Sequence, residues 1–508
     1  MTAILAIAGA DATERMRRFA FIVAMAAALY AGYLSVPDIH AHYVTVSMHG
    51  HRGVYNSAYL AAAIALLTSS FLGLIGFFLV RGAVERDRTF DVDGIVCASP
   101  VRRTTFLFGK FASNLATLCA IAGISLVAAM FMQQVRGEDR DFETLAFMLP
   151  FLLITIPAMA MISAIAVAFD VIKPLRGALG AIAYVFLWTA FISIPMSTTG
   201  GARLSPFDPM GMTAVTSNLR AAAIAAFPNE KNNDVTAVGI ERLKTGQAAP
   251  YRFSGIAWTS AILVQRLAWL AIALAIVLAS SVFFDRFRRE AGGSRRRSFS
   301  VDWSRLFPNI ERLRLVRAEF LLLVNGANIW WLAGAAGLTI AMAFAPLDIV
   351  ARFLLPVAFI WPLERLSALG ARERVWNVAD ILSATRGFAA RTLAAQWGCA
   401  TLLGSLLCTG YIVRLAVTGD PIGALACIAV VGATAAAALA LGTITGTSRL
   451  FEAVYLVIWY VGPINRLPFL DYSQATVSAP LALLSISCAV SIAFLITAAV
   501  ARRSPSYR

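Results

Sequence analysis

Long apolar stretches recur along the whole chain and limit the folds that are open to it. A helix that crosses a membrane needs roughly 20 mostly apolar residues, and we find about twelve stretches of this kind. They cover residues 19–36, 58–80, 111–134, 145–169, 177–197, 257–284, 320–345, 348–363, 393–413, 422–447, 453–465 and 478–500. Charged residues make up only 14% of the 508 residues, against about 25% in soluble domains. The sequence therefore predicts an all-α, polytopic membrane protein.

Basic residues are concentrated in particular connections between these stretches. Arginines precede the first stretch and follow the second, ten of them lie between residues 285 and 317, and three more lie near the C-terminus. Cytoplasmic loops of membrane proteins carry such an excess of arginine and lysine. We therefore predict that both termini, 82–110 and 285–316 are cytoplasmic and that 198–256 lies outside. The net charge of +15 then reflects topology, and we expect no binding to nucleic acid.

A basic segment divides the chain into two parts. Residues 285–316 are rich in Gly, Ser and Arg, a composition typical of linkers. Six apolar stretches lie on each side, which is a common plan among transporters. We predict a first six-helix half at 1–284, a cytoplasmic linker at 285–316 and a second, diverged six-helix half at 317–508.

A short repeat supports this division. Residues 86–99 read RDRTFDVDGIVCAS and residues 372–385 read RERVWNVADILSAT. Aligned without a gap, Arg86 matches Arg372 and Asp87 is paired with the similar Glu373. Each segment follows the second apolar stretch of its own half. We therefore predict that the halves are tandem, parallel repeats.

Both copies of this segment have the pattern of an amphipathic helix. Val92, Ile95 and Val96 fall at i, i+3 and i+4, which places them on one helix face. Val378, Ile381 and Leu382 repeat the pattern. Two interpretations are open at this point: an interfacial helix that anchors the loop, or a lever moved by a cytoplasmic partner.

The longer segment 85–110, ERDRTFDVDGIVCASPVRRTTFLFGK, resembles the signature loop of ABC-2-type transporter permeases. The elements of the likeness are the start Glu85-Arg86-Asp87, the turn Ser99-Pro100-Val101 and the pair Gly109-Lys110. Asp208-Pro209-Met210-Gly211 is similar to the D-P-[FM]-G of that family, and 265–269 (QRLAW) is similar to its N-R-L-L-W. The second half departs from the pattern, with Arg386 at the position of the proline and Ala395-Gln396 in place of Gly-Lys.

The resemblance implies a permease in a bacterial cytoplasmic (inner) membrane that exports a substrate and is driven by a separate ATP-binding-cassette subunit. The loop would be the coupling helix that docks on this subunit. The implied coupling residues are Glu85, Arg86, Asp87, Val92, Ile95, Ser99, Pro100, Arg102, Arg103, Arg372, Glu373 and Arg374. The chain contains no G-x-x-x-x-G-K-[ST] phosphate loop. We therefore expect no enzyme activity and no cofactor in this chain, with ATP and Mg held by the partner.

Two other classes of function stay open. An ion-driven secondary transporter usually carries acidic residues in the middle of its spans, and the apolar stretches here lack them. A membrane enzyme, or a scaffold that binds metal, would use the first outer loop, where His40, His42, His49 and His51 lie together. We favour a polar loop without metal. Arg266 and Glu319, close to the ends of their stretches, are expected to reach the membrane surface.

Overall fold

Apolar residues form helices in two separate units of the chain. The computed structural model describes residues 2–17, 19–39, 41, 43–48, 50–89, 93–176, 178–201, 203–228, 236–242, 249–284, 314–324, 327, 329–376, 378–379, 387–464, 470–473 and 478–502. Contacts between residues divide the chain into unit 1, Met1–Arg289, and unit 2, Glu290–Arg508. Most of the predicted linker, 285–313, lies outside the described residues.

Unit 1 contains twelve described helices and four short strands. The helices are α1 (Thr2–Met16), α2 (Phe19–Leu34), α3 (Ser57–Leu67), α4 (Gly73–Val80), α5 (Ala83–Thr89), α6 (Asp93–Ala98), α7 (Arg103–Arg136), α8 (Thr144–Pro150), α9 (Ile156–Val171), α10 (Ala178–Thr199), α11 (Met212–Ala226) and α12 (Ser260–Phe283). A π-helical turn at Thr68–Leu72 joins α3 to α4, and another at Phe151–Thr155 joins α8 to α9. A 3₁₀ turn at Lys173–Leu175 follows α9.

Unit 2 contains eleven described helices. Its helices are α13 (Arg314–Val324), α14 (Ile329–Phe344), α15 (Leu347–Ile349), α16 (Leu355–Ile360), α17 (Leu363–Ser367), α18 (Arg372–Val375), α19 (Phe388–Leu407), α20 (Thr409–Val417), α21 (Pro421–Thr445), α22 (Arg449–Trp459) and α23 (Pro480–Ala501). A π-helical turn at Val350–Leu354 joins α15 to α16, and another at Tyr460–Ile464 continues α22.

Within the described residues, seven continuous helical segments are long and apolar enough to cross a membrane, and two of them, Ser57–Asp87 and Thr144–Val171, run through the π-helical turns. The number is eight if the bent pair α19 and α20 forms one span. The prediction of a helical, membrane-embedded protein is confirmed, whereas the number of twelve spans stays a prediction. The predicted stretch 320–345 is wrong as a single helix, because α13 ends at Val324 and α14 begins at Ile329. The stretch 393–413 is bent by 72° near Cys408.

Close packing in each unit depends on small residues. In unit 1, α1 and α2 pack on α7, and α12 packs on α9. In unit 2, α21 is rich in alanine and glycine and packs along the length of α23. Beside α21, a cluster of buried side chains that includes Met342, Phe359 and Tyr411 forms the core of unit 2. Inside a membrane, exclusion of water does not drive helices together. Small side chains let helix backbones approach closely, which strengthens the van der Waals packing between them.

The strands of unit 1 were not predicted. β1 (Tyr43–Met48) pairs antiparallel with β3 (Thr236–Arg242), and β2 (Arg52–Gly53) pairs parallel with β4 (Pro250–Tyr251). These pairings join the loop before α3 to the loop before α12. Both loops are far apart in the sequence, so no local pattern reveals the pairing.

Candidate functional site

The segment after the second apolar helix of unit 1 begins with a capped helix. The Asp170 carboxylate accepts hydrogen bonds from the backbone N–H of Gly82 at 2.7 Å and of Val84 at 3.2 Å. A carboxylate at this position satisfies free N–H groups of the helix and is stabilised by the helix dipole. Asp170 lies near the end of α9, so these hydrogen bonds attach α5 to α9. The chain itself connects α5 to α4.

Arg86 turns inward from α5 to a buried carboxylate on α1. Asp11 accepts hydrogen bonds from Arg15 Nε at 2.9 Å, Lys110 Nζ at 3.1 Å, Arg86 Nη2 at 3.2 Å and Ser113 Oγ at 2.6 Å. Asp11 is 5% exposed and Arg86 is 7% exposed. Three basic groups from three helices therefore meet on one carboxylate.

Lys110 links this carboxylate to a second one. Its Nζ atom also donates to Asp87 Oδ1 at 2.9 Å. The neighbouring Gly109 is where α1 crosses α7, since a Cβ atom at Gly109 would lie 2.7 Å from Ile7 Cγ2. The pair Gly109-Lys110 thus combines close packing with a charge that α1 and α5 share. We call Asp11, Arg15, Arg86, Asp87 and Lys110 the first polar cluster.

The charges of the first polar cluster favour the ionised form of Asp11. Burial by itself would raise the pKa of this carboxyl group, but Arg15, Lys110 and Arg86 outweigh burial and lower the pKa to about 2. An isolated buried charge would be strongly unfavourable. The cluster is therefore a network of ion pairs that holds α1, α5 and α7 together.

Unit 2 has an equivalent arrangement. Arg372 Nη2 donates to Glu319 Oε2 at 3.0 Å, and Gln396 Nε2 donates to Glu319 Oε1 at 3.2 Å and to Glu373 Oε1 at 2.9 Å. Arg502 Nη2 donates to Gln396 Oε1 at 2.7 Å and lies 3.6 Å from Glu373 Oε1. We call Glu319, Arg372, Glu373, Gln396 and Arg502 the second polar cluster.

Three members of each cluster occupy equivalent positions in the two units. The gapless alignment of the sequence repeat pairs Arg86 with Arg372, Asp87 with Glu373 and Lys110 with Gln396. The acid that pairs with the arginine lies on the first described helix of each unit. It is Asp11 on α1 in unit 1 and Glu319 on α13 in unit 2. The similarity of the two segments therefore extends from sequence to three-dimensional contacts.

A second set of contacts attaches the second apolar helix of unit 1 to α10. The hydroxyl of Tyr184 donates to the carbonyl of Gly73, and Trp188 Nε1 donates to the carbonyl of Ser70 at 2.8 Å. Ser70 lies in the π-helical turn, where the regular ladder of helix hydrogen bonds is interrupted. Side chains of α10 thus bind carbonyl groups at this irregular point.

Unit 2 has the same contacts between α22 and α16. Tyr455 donates to the carbonyl of Phe359 at 3.0 Å, and Trp459 Nε1 donates to the carbonyl of Pro356 at 2.8 Å. The gapless alignment pairs Ser70 with Pro356 and Gly73 with Phe359. The sequences YVFLW (184–188) and YLVIW (455–459) are the signal that sequence reasoning missed.

The remaining predicted coupling residues lie mostly outside the clusters. Glu85, Pro100, Arg102 and Arg103 are exposed. Ser99 is half-buried, and its hydroxyl donates to the carbonyl of Val96 at 2.9 Å. Ile95 belongs to α6 and Arg374 to α18, whereas Val92 lies outside the described residues, as does most of the second amphipathic stretch.

Two further segments that the resemblance singled out meet in unit 1. Asp208 accepts hydrogen bonds from the N–H of Met212 and of Thr213, each at 2.8 Å, and so caps α11. Arg266 Nη2 donates to the carbonyl oxygen of Asp208 and lies 3.9 Å from its carboxylate. Arg266 is 1% exposed, so the prediction that it reaches the membrane surface is wrong. Glu319 is also buried within the protein, at 7% exposure.

The histidine loop yields one described side chain. His51 stacks on Phe227 with 3.8 Å between ring centroids, while His40, His42 and His49 lie outside the described residues. Within the described ranges, no group of three or more His, Cys, Asp or Glu side chains could hold a metal ion. The metal-binding alternative therefore stays an untested prediction.

No protein-family model matches this chain, and no match is found among curated proteins or among solved structures. The chain is an α-helical, membrane-embedded protein on the basis of its apolar helices. Its likeness to ABC-2-type permeases stays a prediction from the motifs of 85–110, 208–211 and 265–269.

Acidification is expected to affect the two clusters in opposite directions. Asp11 has a lowered pKa, so its stabilising effect is complete above the ordinary value of 3.8 and is lost as the pH falls through about 2. Burial raises the pKa of Glu319, and Arg372, Gln396 and Arg502 only partly offset burial, while Glu373 adds to it. The contribution of Glu319 is therefore complete below its ordinary value of 4.5 and is lost as the pH rises through its raised pKa.

Hydrogen–deuterium exchange, corrected for the intrinsic rate, measures this difference. Between about pH 7 and about pH 5 we expect unchanged protection of α1 and equal or greater protection of α13. Loss of protection in α1 over this range would contradict the assignment of Asp11 as a stable carboxylate.

Proposed function

We propose that this chain is the permease of an ABC-2-type transporter, with both six-helix halves in one polypeptide. A separate ATP-binding-cassette subunit, which holds ATP and Mg, supplies the energy for export.

The supporting observation is the way in which each unit holds the segment after its second apolar helix. In unit 1 the inward side of this segment, Arg86 and Asp87, is bound to α1 and α7 through the first polar cluster. The outward residues Glu85, Pro100 and Arg102 remain exposed. A lever needs both features: a face exposed to a partner and a rigid attachment to the helices that move.

The proposed membrane arrangement has six spans in each unit. They are 19–34, 57–80, 103–136, 144–171, 178–199 and 260–283 in unit 1, and 329–344, 347–360, 388–417, 421–445, 449–464 and 480–501 in unit 2. The distribution of arginines supports cytoplasmic termini and a cytoplasmic position for both coupling segments. The helices α1 and α13 then lie at the cytoplasmic surface beside these segments.

The test reverses exposed charges, because Arg86 is buried and Asp87 is half-buried, and replacing either residue of the first polar cluster would damage the fold. The double change Arg102→Glu and Arg103→Glu is expected to lower the amount of co-purified ATPase subunit by about tenfold, since like charges placed in an interface are strongly unfavourable. The chain is co-expressed with the ATP-binding-cassette subunits of its own genome, and the partner is measured per membrane-inserted permease.

Arg140→Glu is the matched control. Arg140 is an exposed arginine just beyond the other end of α7, so its reversal is expected to leave partner binding unchanged. If the unaltered chain binds no ATPase subunit, or if the double variant binds it as well as the unaltered chain does, the proposed function is wrong.

A further inference from the structure

Unit 2 lacks a positive charge that unit 1 has at the equivalent position. Lys110 lies between Asp11 and Asp87 at 3.1 and 2.9 Å. The equivalent Gln396 makes hydrogen bonds of similar length to two glutamates but carries no charge. The glutamates are each one methylene longer than the aspartates, which compensates for the shorter side chain of glutamine.

The second polar cluster contains a cation from elsewhere in the chain. Arg502 directly follows α23, the last helix, and its side chain is 1% exposed. It donates to Gln396 and lies 3.6 Å from Glu373. In unit 1, by contrast, the named members of the first polar cluster come from α1, α5 and α7.

We propose that Arg502 takes over the role of Lys110 in unit 2 and is a positioning residue for the segment that begins at Arg372. Two buried carboxylates, Glu319 and Glu373, favour a fold in which nearby cations balance them. Arg372 supplies one positive charge and Arg502 the other. The residue that follows α23 is therefore a structural part of the segment that begins at Arg372.

The test places a reporter cysteine at Ala379, within this segment, in a chain whose six native cysteines are replaced by alanine. Ala379 is 6% exposed, so a water-soluble maleimide should label it slowly. Arg502→Ala is expected to increase the labelling rate by about tenfold, because loss of the cation weakens the attachment of the segment. Trp376→Cys is the matched control, since this position is already 75% exposed and should react rapidly in every variant.

Rescue distinguishes a positioning charge from loss of packing. Adding Gln396→Lys to Arg502→Ala restores the cation at the position of Lys110 and should return the labelling of Ala379→Cys to within about twofold of the starting rate. A second rescue variant also carries Glu319→Asp and Glu373→Asp, which makes room for the longer lysine by rebuilding the side-chain lengths of unit 1. If Arg502→Ala prevents folding, the same variants should restore the folded protein.

Failure of both rescue variants, or unchanged labelling in Arg502→Ala, would overturn the inference. The labelling test requires no ATPase subunit, so its outcome is independent of the proposed function. A second measurement rests on the proposed function: coupled ATPase activity should fall in Arg502→Ala and recover in the rescued chain. Faster labelling of Ala379→Cys in Arg502→Ala, with unchanged ATPase activity, would support the positioning role of Arg502. The same result would count against the proposed function alone.

Discussion

Asp11→Asn is expected to weaken the attachment of α1 by at least about 2 kcal/mol. The pKa of Asp11 falls from 3.8 to about 2, and each unit of pKa corresponds to about 1.4 kcal/mol of preference for the charged form. Asparagine is similar in size to protonated aspartic acid. Because it is uncharged, it cannot gain the stabilisation that the site gives to the charged carboxylate. Arg15, Arg86 and Lys110 would then also face one another with less compensation. Hydrogen exchange in α1 should become about 30-fold faster.

Glu319→Gln is the matched control in the second polar cluster. Burial raises the pKa of Glu319, so its surroundings disfavour the charged form and neutral glutamine should cost little. Exchange in α13 is therefore expected to change much less than exchange in α1 does after Asp11→Asn. Equal damage from the two replacements would show that the clusters act through hydrogen-bond geometry and not through charge.

Asp208→Ala is expected to destabilise unit 1 by about 3–5 kcal/mol, because it removes a helix cap and leaves a buried arginine without its carboxylate. Asp208 is fully buried, and its carboxylate also accepts from Thr213 Oγ1 at 2.6 Å. Arg266 keeps only uncharged acceptors in this variant. Chemical unfolding of the detergent-solubilised protein measures the change, followed by the fluorescence of Trp188 and Trp269 in a chain whose other eight tryptophans are replaced by phenylalanine.

Asp420→Ala provides the comparison for this prediction. Asp420 caps α21 by accepting from the N–H of Gly423 at 2.8 Å, but it is only half-buried. Its removal should therefore cost about 1 kcal/mol, the usual effect of losing a cap. If Asp208→Ala is no more damaging than Asp420→Ala, the contact between Asp208 and Arg266 contributes little to stability.

The polar clusters change how the amphipathic segment should be understood. From the sequence, Arg86 and Arg372 were candidates for direct contact with a partner. Both are instead bound to acids on the preceding short helix, and the exposed positions suited to contact are Glu85, Arg102 and Arg103. This arrangement gives the inner side of the segment an attachment to neighbouring helices and leaves its outer side exposed.

Some of the site was open to prediction from local sequence. Asp11 and Arg15 are four residues apart on one helix, a spacing at which opposite charges meet. This pair predicts an ion pair on α1, before the first span. The recurrence of Tyr and Trp four residues apart, at Tyr184 and Tyr455, would have extended the repeat to a further helix. Each of these two sequence patterns involves only a few residues, so neither can be told from coincidence until the contacts are known.

The sequence by itself determined the class of protein, because the length and apolarity of a stretch decide whether it can cross a membrane without any knowledge of its neighbours. It also determined the register of the repeat, since Arg86 and Arg372 align without a gap. Only the tertiary structure decided which side of the segment 85–103 is buried, that Asp208 lies beside Arg266, and that Arg502 joins the second polar cluster. These contacts join residues far apart in the chain, and helix packing, not local pattern, brings them together.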